Sequence, residues 1–186
     1  MPRVSEAEKK KSRKRILDAA ARLIRENGVE ATSVADVMTA AGMTHGGFYR
    51  HFANKDELVR AAFLEAVDRS VGAMDVPETE GAREEARKRY VATYLSQEHV
   101  ESRGTGCPIA ALGAELGRGD GAAKKEAAAS VDRVAALLAD GDDKQEGYEK
   151  LALLVGTITL ARLVDDVVTR ELILDAGATA FKRSTS

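Results

Sequence analysis

"MTHGGFYRHFANKDEL", residues 43–58, concentrates unusual chemistry in a stretch that reads as helical. It holds two adjacent glycines, three of the chain's eight aromatics and two of its three histidines. Each glycine inside a helix costs about 1 kcal/mol relative to alanine. A two-turn helix that carries Gly46 and Gly47 must therefore be held by packing, and the glycines must serve something else. Their lack of bulk lets the backbone come close to a partner.

The flanking residues identify the arrangement. A short helix is predicted from Ser33, with Asp36 at its third position and Val34, Val37 and Met38 facing inward. It ends near Ala41, and Gly42 opens a tight turn. A further helix runs from Thr44 to His51, where Met43 and Phe48 are placed to form a hydrophobic staple. Two helices joined by a short turn containing glycine make a helix-turn-helix. The second helix of such a unit lies in the major groove of DNA and presents its N-terminal residues to base edges. Thr44 and His45 occupy those positions. Tyr49 and His51 can donate to phosphate oxygens. Phe48 and Phe52 belong inside.

Asn54 caps the next helix, with Glu57 as capping-box partner and a stripe of Leu58, Val59, Ala62, Phe63, Ala66 and Val67. Lys55 stands at its first position, where the helix dipole disfavours a cation by roughly 0.3–1 kcal/mol. A bound anion such as a DNA phosphate reverses that sign. Upstream, residues 5–27 form one helix. It is capped by Ser5, striped by Ile16, Leu17, Ala20, Leu23 and Ile24, and stopped at Asn27-Gly28. Its outer face is basic from Lys9 to Arg15.

Charge follows the same division. Residues 1–60 hold twelve Lys and Arg against eight Asp and Glu, a net +4; the remainder holds sixteen against twenty-two, a net −6. A basic head on an acidic body suits an anionic partner for the head. The whole chain of 186 residues is 44% hydrophobic and 31% charged, rich in helix formers, with three prolines and one cysteine. An all-α fold of about nine helices is expected, with no disulfide, metal site or cofactor. No apolar run reaches the ~18 residues of a membrane span, and no signal peptide is recognisable, so a cytoplasmic protein is expected. Further helices are predicted near 81–98, 107–118, 121–139, 146–165 and 168–183. The segment "LALLVGTITLARLV" is apolar almost all round, as in a central helix or one covered by another subunit.

The stretch "ATSVADVMTAAGMTHGGFYRHFANKDELVRAAF" resembles the DNA-binding domain of the TetR family of bacterial repressors. Gly42, Thr44, Gly46, Tyr49, His51, Phe52, Lys55 and Leu58 fill every place of that family's pattern. The resemblance implies a helix-turn-helix domain over residues 1–55 and a helical effector-binding and dimerisation domain over 56–186. It implies a homodimer joined through the last two helices, about 146–183, that reads a palindromic DNA operator and is released by a small-molecule effector. The DNA-binding residues are then Ser33, Thr44, His45, Gly46, Gly47, Tyr49, His51 and Lys55.

Cys107 carries an alternative. Pro108 fits the first position of a helix, which makes Cys107 its cap, and a thiol there can be activated. Arg103 could add to that effect. A regulator sensing electrophiles or oxidants through Cys107 is one reading; an inert buried cap is the other. Tyr90, Tyr94, Tyr148 and Phe63 are candidate effector-pocket walls. Ala110, Gly113, Ala114 and Gly117 suit close helix packing. An enzyme using Cys107 as nucleophile and His99 as base would need the fold to join them, and no catalytic signature accompanies the pair. A helical interaction protein without DNA binding is the remaining class.

Overall fold

The computed structural model describes residues 5–72, 74–75, 79–118, 121–141 and 143–183. All regular structure among them is helical. The chain runs α1 Glu6–Asn27, α2 Val34–Ala40, a 3-10 turn His45–Arg50, α3 Lys55–Val71, α4 Glu80–Tyr94 and α5 Gln97–Glu101. A second 3-10 turn, Arg103–Thr105, precedes α6 Pro108–Arg118, α7 Ala122–Leu138, α8 Lys144–Leu163 and α9 Val167–Arg183. The breaks expected around 75–81, 118–121 and 140–147 lie partly outside the described residues.

Helix α1 buries more than one stripe. Ile16, Ala20 and Ile24 are buried as expected, but so are Ala19 and Ala21, while Leu17 and Leu23 are only half-buried. Two partners explain the widening. Helix α3 packs along one side of α1, and the Arg103–Thr105 turn packs on another. Small alanines permit both approaches. Helix α3 buries Leu58, Val59, Ala62, Phe63, Ala66 and Val67. It also packs on α7, so it joins the N-terminal helices to the body.

Two expected elements change. The helix predicted near 81–98 divides at Leu95, because Ser96 Oγ accepts the His99 N–H and begins α5. Side-chain capping competes here with continued helix. The small residues of α6 are not tightly packed: a β-carbon at Gly113 would touch only Ile109, and one at Gly117 would meet nothing within 4 Å. Close helix contact lies elsewhere. A β-carbon at Gly177 of α9 would come 2.5 Å from Thr157 of α8, and Gly147 rests against the Ala135 carbonyl of α7.

Helices α8 and α9 are apolar on two sides for different reasons. Leu151, Leu154, Ile158 and Ala161 fill the core. Leu160, Leu163, Val167, Val168 and Leu172 face outward, Leu163 being 75% exposed. At the far end of the body, Lys150 is 1% exposed. Its Nζ lies 2.7 Å from Glu146 Oε1 and 3.0 Å from Asp140 Oδ2, and Arg87 also pairs with Asp140.

Candidate nucleic-acid interface

Ser33 opens α2 with both halves of a capping box. Its Oγ accepts the Asp36 N–H at 3.1 Å, and Asp36 Oδ2 accepts the Ser33 N–H at 3.0 Å. The Ser33 hydroxyl also donates to that carboxylate at 2.6 Å, which holds the Asp36 carboxyl below its usual range. The hydroxyl proton of Ser33 is therefore already committed to its cap.

The turn that follows requires Gly42, whose φ is +65°, a left-handed conformation costly for other residues. Arg15 of α1 donates to the carbonyls of Ala41 and Gly42 and clamps the turn. The segment 45–50 then winds as a 3-10 helix, not the α-helix expected over 44–51. Two glycines, short length and the lack of a side-chain cap on Thr44 leave it without local support. Tertiary packing supplies what propensity does not. Phe48 and Phe52 are fully buried with ring centroids 5.8 Å apart.

The opposite side faces solvent. Thr44, His45 and Gly46 are exposed, and Tyr49 is 70% exposed, its ring edge-on to Phe48 at 5.2 Å. The paired glycines separate in role. A β-carbon on Gly46 would meet nothing within 4 Å, so its backbone is open to a partner. One on Gly47 would point inward, 3.5 Å from Met38 and 3.9 Å from Met43, which is ordinary contact. Gly47→Ala is expected to be neutral or to stabilise by up to about 1 kcal/mol, with DNA binding retained. Gly46→Ala is expected to keep stability but weaken DNA binding, because its methyl lies on the open side. Urea unfolding and gel shifts on both variants check this; equal binding losses would contradict the division.

His51 sits behind the exposed face. Its carbonyl accepts from Arg13 Nη1 at 3.3 Å, and the Arg13 guanidinium lies 4.3 Å over the Phe52 ring. Burial, then Arg13, Lys9 and Arg50, lower the His51 pKa. Arg13 was not singled out from the sequence; its signal was only the basic run of α1, which does not say which residue meets the recognition segment. Lys55 opens α3 as expected. Asn54 Oδ1 accepts the Glu57 N–H at 2.8 Å, while Glu57 Oε2 accepts from Ala53 N at 2.7 Å, one residue before the place expected. The carboxylate of Glu57 is thus spent on backbone.

Cys107 caps α6, its Sγ accepting the Ala110 N–H at 3.5 Å, and is 5% exposed. Arg103 is exposed; the guanidinium bordering Gly106 is that of Arg162, which donates to the His99 carbonyl at 2.9 Å. The fold does bring His99 to Cys107, but not as a base. His99 Nε2 accepts the Cys107 backbone N–H at 2.9 Å, and Nδ1 donates to the Tyr94 carbonyl at 2.6 Å. Both ring nitrogens are occupied. Tyr94, His99 and Cys107 line a cavity of about 240 Å³. Tyr90 packs on Tyr94 at 5.6 Å. Phe63 lies in the core, and Tyr148 is exposed and donates to Asp132.

The lowered histidines set a pH dependence. Burial depresses the His99 pKa, with Arg162 adding to the effect. His51 is depressed in the same direction. For such groups the unfolded chain binds protons first. Their stabilisation is complete above the free value of about 6.5 and is lost as pH falls through the lower folded values. Urea unfolding at pH 7.5 and 5.5 is expected to show lower stability at 5.5, and His99→Gln is expected to flatten the difference.

Residues 16–62 match the family described as bacterial regulatory proteins, tetR family. Residues 16–62 belong to the TetR family. The chain is 29% identical over 177 residues to an HTH-type transcriptional regulator of Mycobacterium tuberculosis, covering 87% of this chain and 89% of the relative. It is 41% identical over 58 residues to the HTH-type transcriptional regulator AcrR of Shigella flexneri, covering 31% and 27%. Among solved structures, a transcriptional regulator of Streptomyces coelicolor is similar at 25% identity and TM-score 0.64, covering 90% of this chain and 96% of that one. A TetR regulator of Legionella pneumophila shares the fold at TM-score 0.75 and 19% identity, covering 99% of each chain. The protein is thus a DNA-binding transcriptional regulator and not an enzyme.

Proposed function

We propose that this regulator is a homodimeric repressor that reads a palindromic operator and is released by a small-molecule effector. The observation that carries the DNA reading is the exposed surface of Thr44, His45, Gly46 and Tyr49, held rigid from behind by Phe48 and Phe52. Thr44 and His45 meet base edges. Tyr49, His51 and Lys55 position the phosphate backbone, and Ser33 sets the angle of α2 through its cap. Gly47 acts by packing. Arg13 and Lys9 add positive charge beside His51.

The outward apolar row on α8 and α9 supports the dimer. Exposed leucine and valine at that density suit a subunit contact. The division into residues 1–55 and 56–186 is part of this reading. The Tyr90, Tyr94 and Cys107 region supports an effector site in the body: the buried Tyr94 hydroxyl has no oxygen or nitrogen partner and only the Cys107 thiol beside it. An effector must prefer the spacing that does not bind DNA, or it shifts nothing.

The cap geometry favours an inert Cys107 over a sensor. Cys107→Ser is expected to leave release from DNA by oxidants or electrophiles unchanged, as measured by gel shift. The main test is selection of bound duplexes from a random pool, with Tyr49→Ala as control. A two-half-site palindrome, lost in the variant, is the expected result. Recovery of only salt-sensitive, sequence-independent binding would reject the operator reading.

A further inference from the structure

A groove of about 570 Å³ runs along the seam where α1 and the Gly42 turn meet the C-terminal part of α3 and the Arg103–Thr105 turn. Its charged lining is Arg15, Arg22, Arg25 and Arg69 with one carboxylate, Asp18. Two of these arginines are balanced. Arg22 pairs with Glu26 at 2.9 Å, and Arg69 pairs with Asp18 and Glu65. The other two have no carboxylate in direct contact, and Glu26, which attracts Arg25 at longer range, is already paired with Arg22. Arg25 Nε donates to the Gly104 carbonyl at 2.8 Å, and Arg15 donates to the Ala41 and Gly42 carbonyls. Among the described residues no carboxylate oxygen lies within 4 Å of either guanidinium.

A carbonyl satisfies donors but does not balance a charge. Each guanidinium carries five N–H donors, and the Nη1 groups of Arg15 and Arg25 have no protein partner. Burial, then repulsion from Arg69, lowers the Arg25 pKa to about 10. An anion beside Arg25 and Arg69 would offset that repulsion and take the remaining donors. A phosphate group suits the place because guanidinium forks match its oxygens and its double charge answers several cations.

We propose that this groove binds the phosphate group of a small phosphorylated molecule, seated among Arg22, Arg25 and Arg69. Arg15 lies ten residues before Arg25 on α1, about 15 Å along the axis, so it serves a second anionic group of a longer ligand. The groove borders the Tyr94 cavity at Thr105, but the phosphate site does not depend on the effector reading. Arg22 and Arg25 come from α1 and Arg69 from α3, so an occupant ties α1 to α3.

The test is calorimetric titration of the full chain with inorganic phosphate and with tripolyphosphate, at ionic strength held constant with chloride, with and without duplex DNA. One phosphate per chain is expected, with affinity falling about tenfold in Arg25→Gln. Arg22→Gln is expected to weaken binding by a smaller factor. It loses only a surface pair, so it decides the matter if Arg25→Gln does not fold. Tripolyphosphate should bind more tightly than phosphate, and Arg15→Gln should remove only that advantage. Heats that persist unchanged in Arg25→Gln and Arg22→Gln would overturn the proposal. So would stoichiometric displacement of phosphate by duplex DNA together with an equal loss of duplex affinity in the variants. That outcome would make the groove a contact for the DNA backbone.

Discussion

Phe48→Ala is expected to unfold the recognition segment and lower stability by about 3–5 kcal/mol, whereas Tyr49→Ala, one residue away, is expected to change stability by less than about 0.5 kcal/mol and still abolish operator binding. The two rings touch, but they face different media. Phe48 is 1% exposed and packs on Phe52, so its removal leaves a cavity that a short 3-10 turn cannot refill. Tyr49 is 70% exposed, so truncation removes almost no buried area. Urea unfolding gives the first quantity and gel shift against the selected operator the second. A destabilised Tyr49→Ala protein would mean that the exposed ring is structural. A Phe48→Ala protein that unfolds like the parent would mean that the segment is held by its turn alone.

The second large effect is expected at Lys150. Lys150→Ala should cost about 3–5 kcal/mol, because it removes the cation that pairs with Glu146 and one of the two that pair with Asp140. The Glu146 side chain is only 17% exposed and cannot solvate fully. Lys150→Met combined with Glu146→Leu should recover to within about 1–2 kcal/mol of the parent. In that variant Asp140 keeps Arg87, and the stem of the lysine is replaced by apolar volume. Equilibrium unfolding of the single and double variants checks this. A single variant within about 1 kcal/mol of the parent would show that the cluster is bathed by water. The Phe181 ring, 5.7 Å from Nζ, ties the cluster to α9, so loss of Lys150 should also loosen that helix.

Much of the interface was legible from residue order because its determinants are local. Ser33 with Asp36, Gly42 in its turn, and Asn54 with Glu57 are capping and turn signals whose partners lie three residues apart or fewer. The spacing of four between Phe48 and Phe52 placed both inside, and so left Tyr49 outside. The all-helical class followed from composition and period in the same way.

What residue order left open depends on contacts between distant segments. Gly46 and Gly47 are chemically identical neighbours. Only the packing of Met38 and Met43 beneath one of them separates an open backbone from a filled one. The 3-10 winding of residues 45–50 arises because two buried phenylalanines fix the segment more strongly than its weak helix propensity can shape it. His99 and Cys107 invited a catalytic reading until the fold spent both imidazole nitrogens on backbone groups. Lys150 is buried in α8, and Asp140, ten residues before it, supplies part of the charge that allows this. Local hydrogen bonding and periodicity act within a few residues and can be read in order. The availability of a donor, the burial of a charge and the side on which space remains are set by which helices meet, and that is a property of the folded chain.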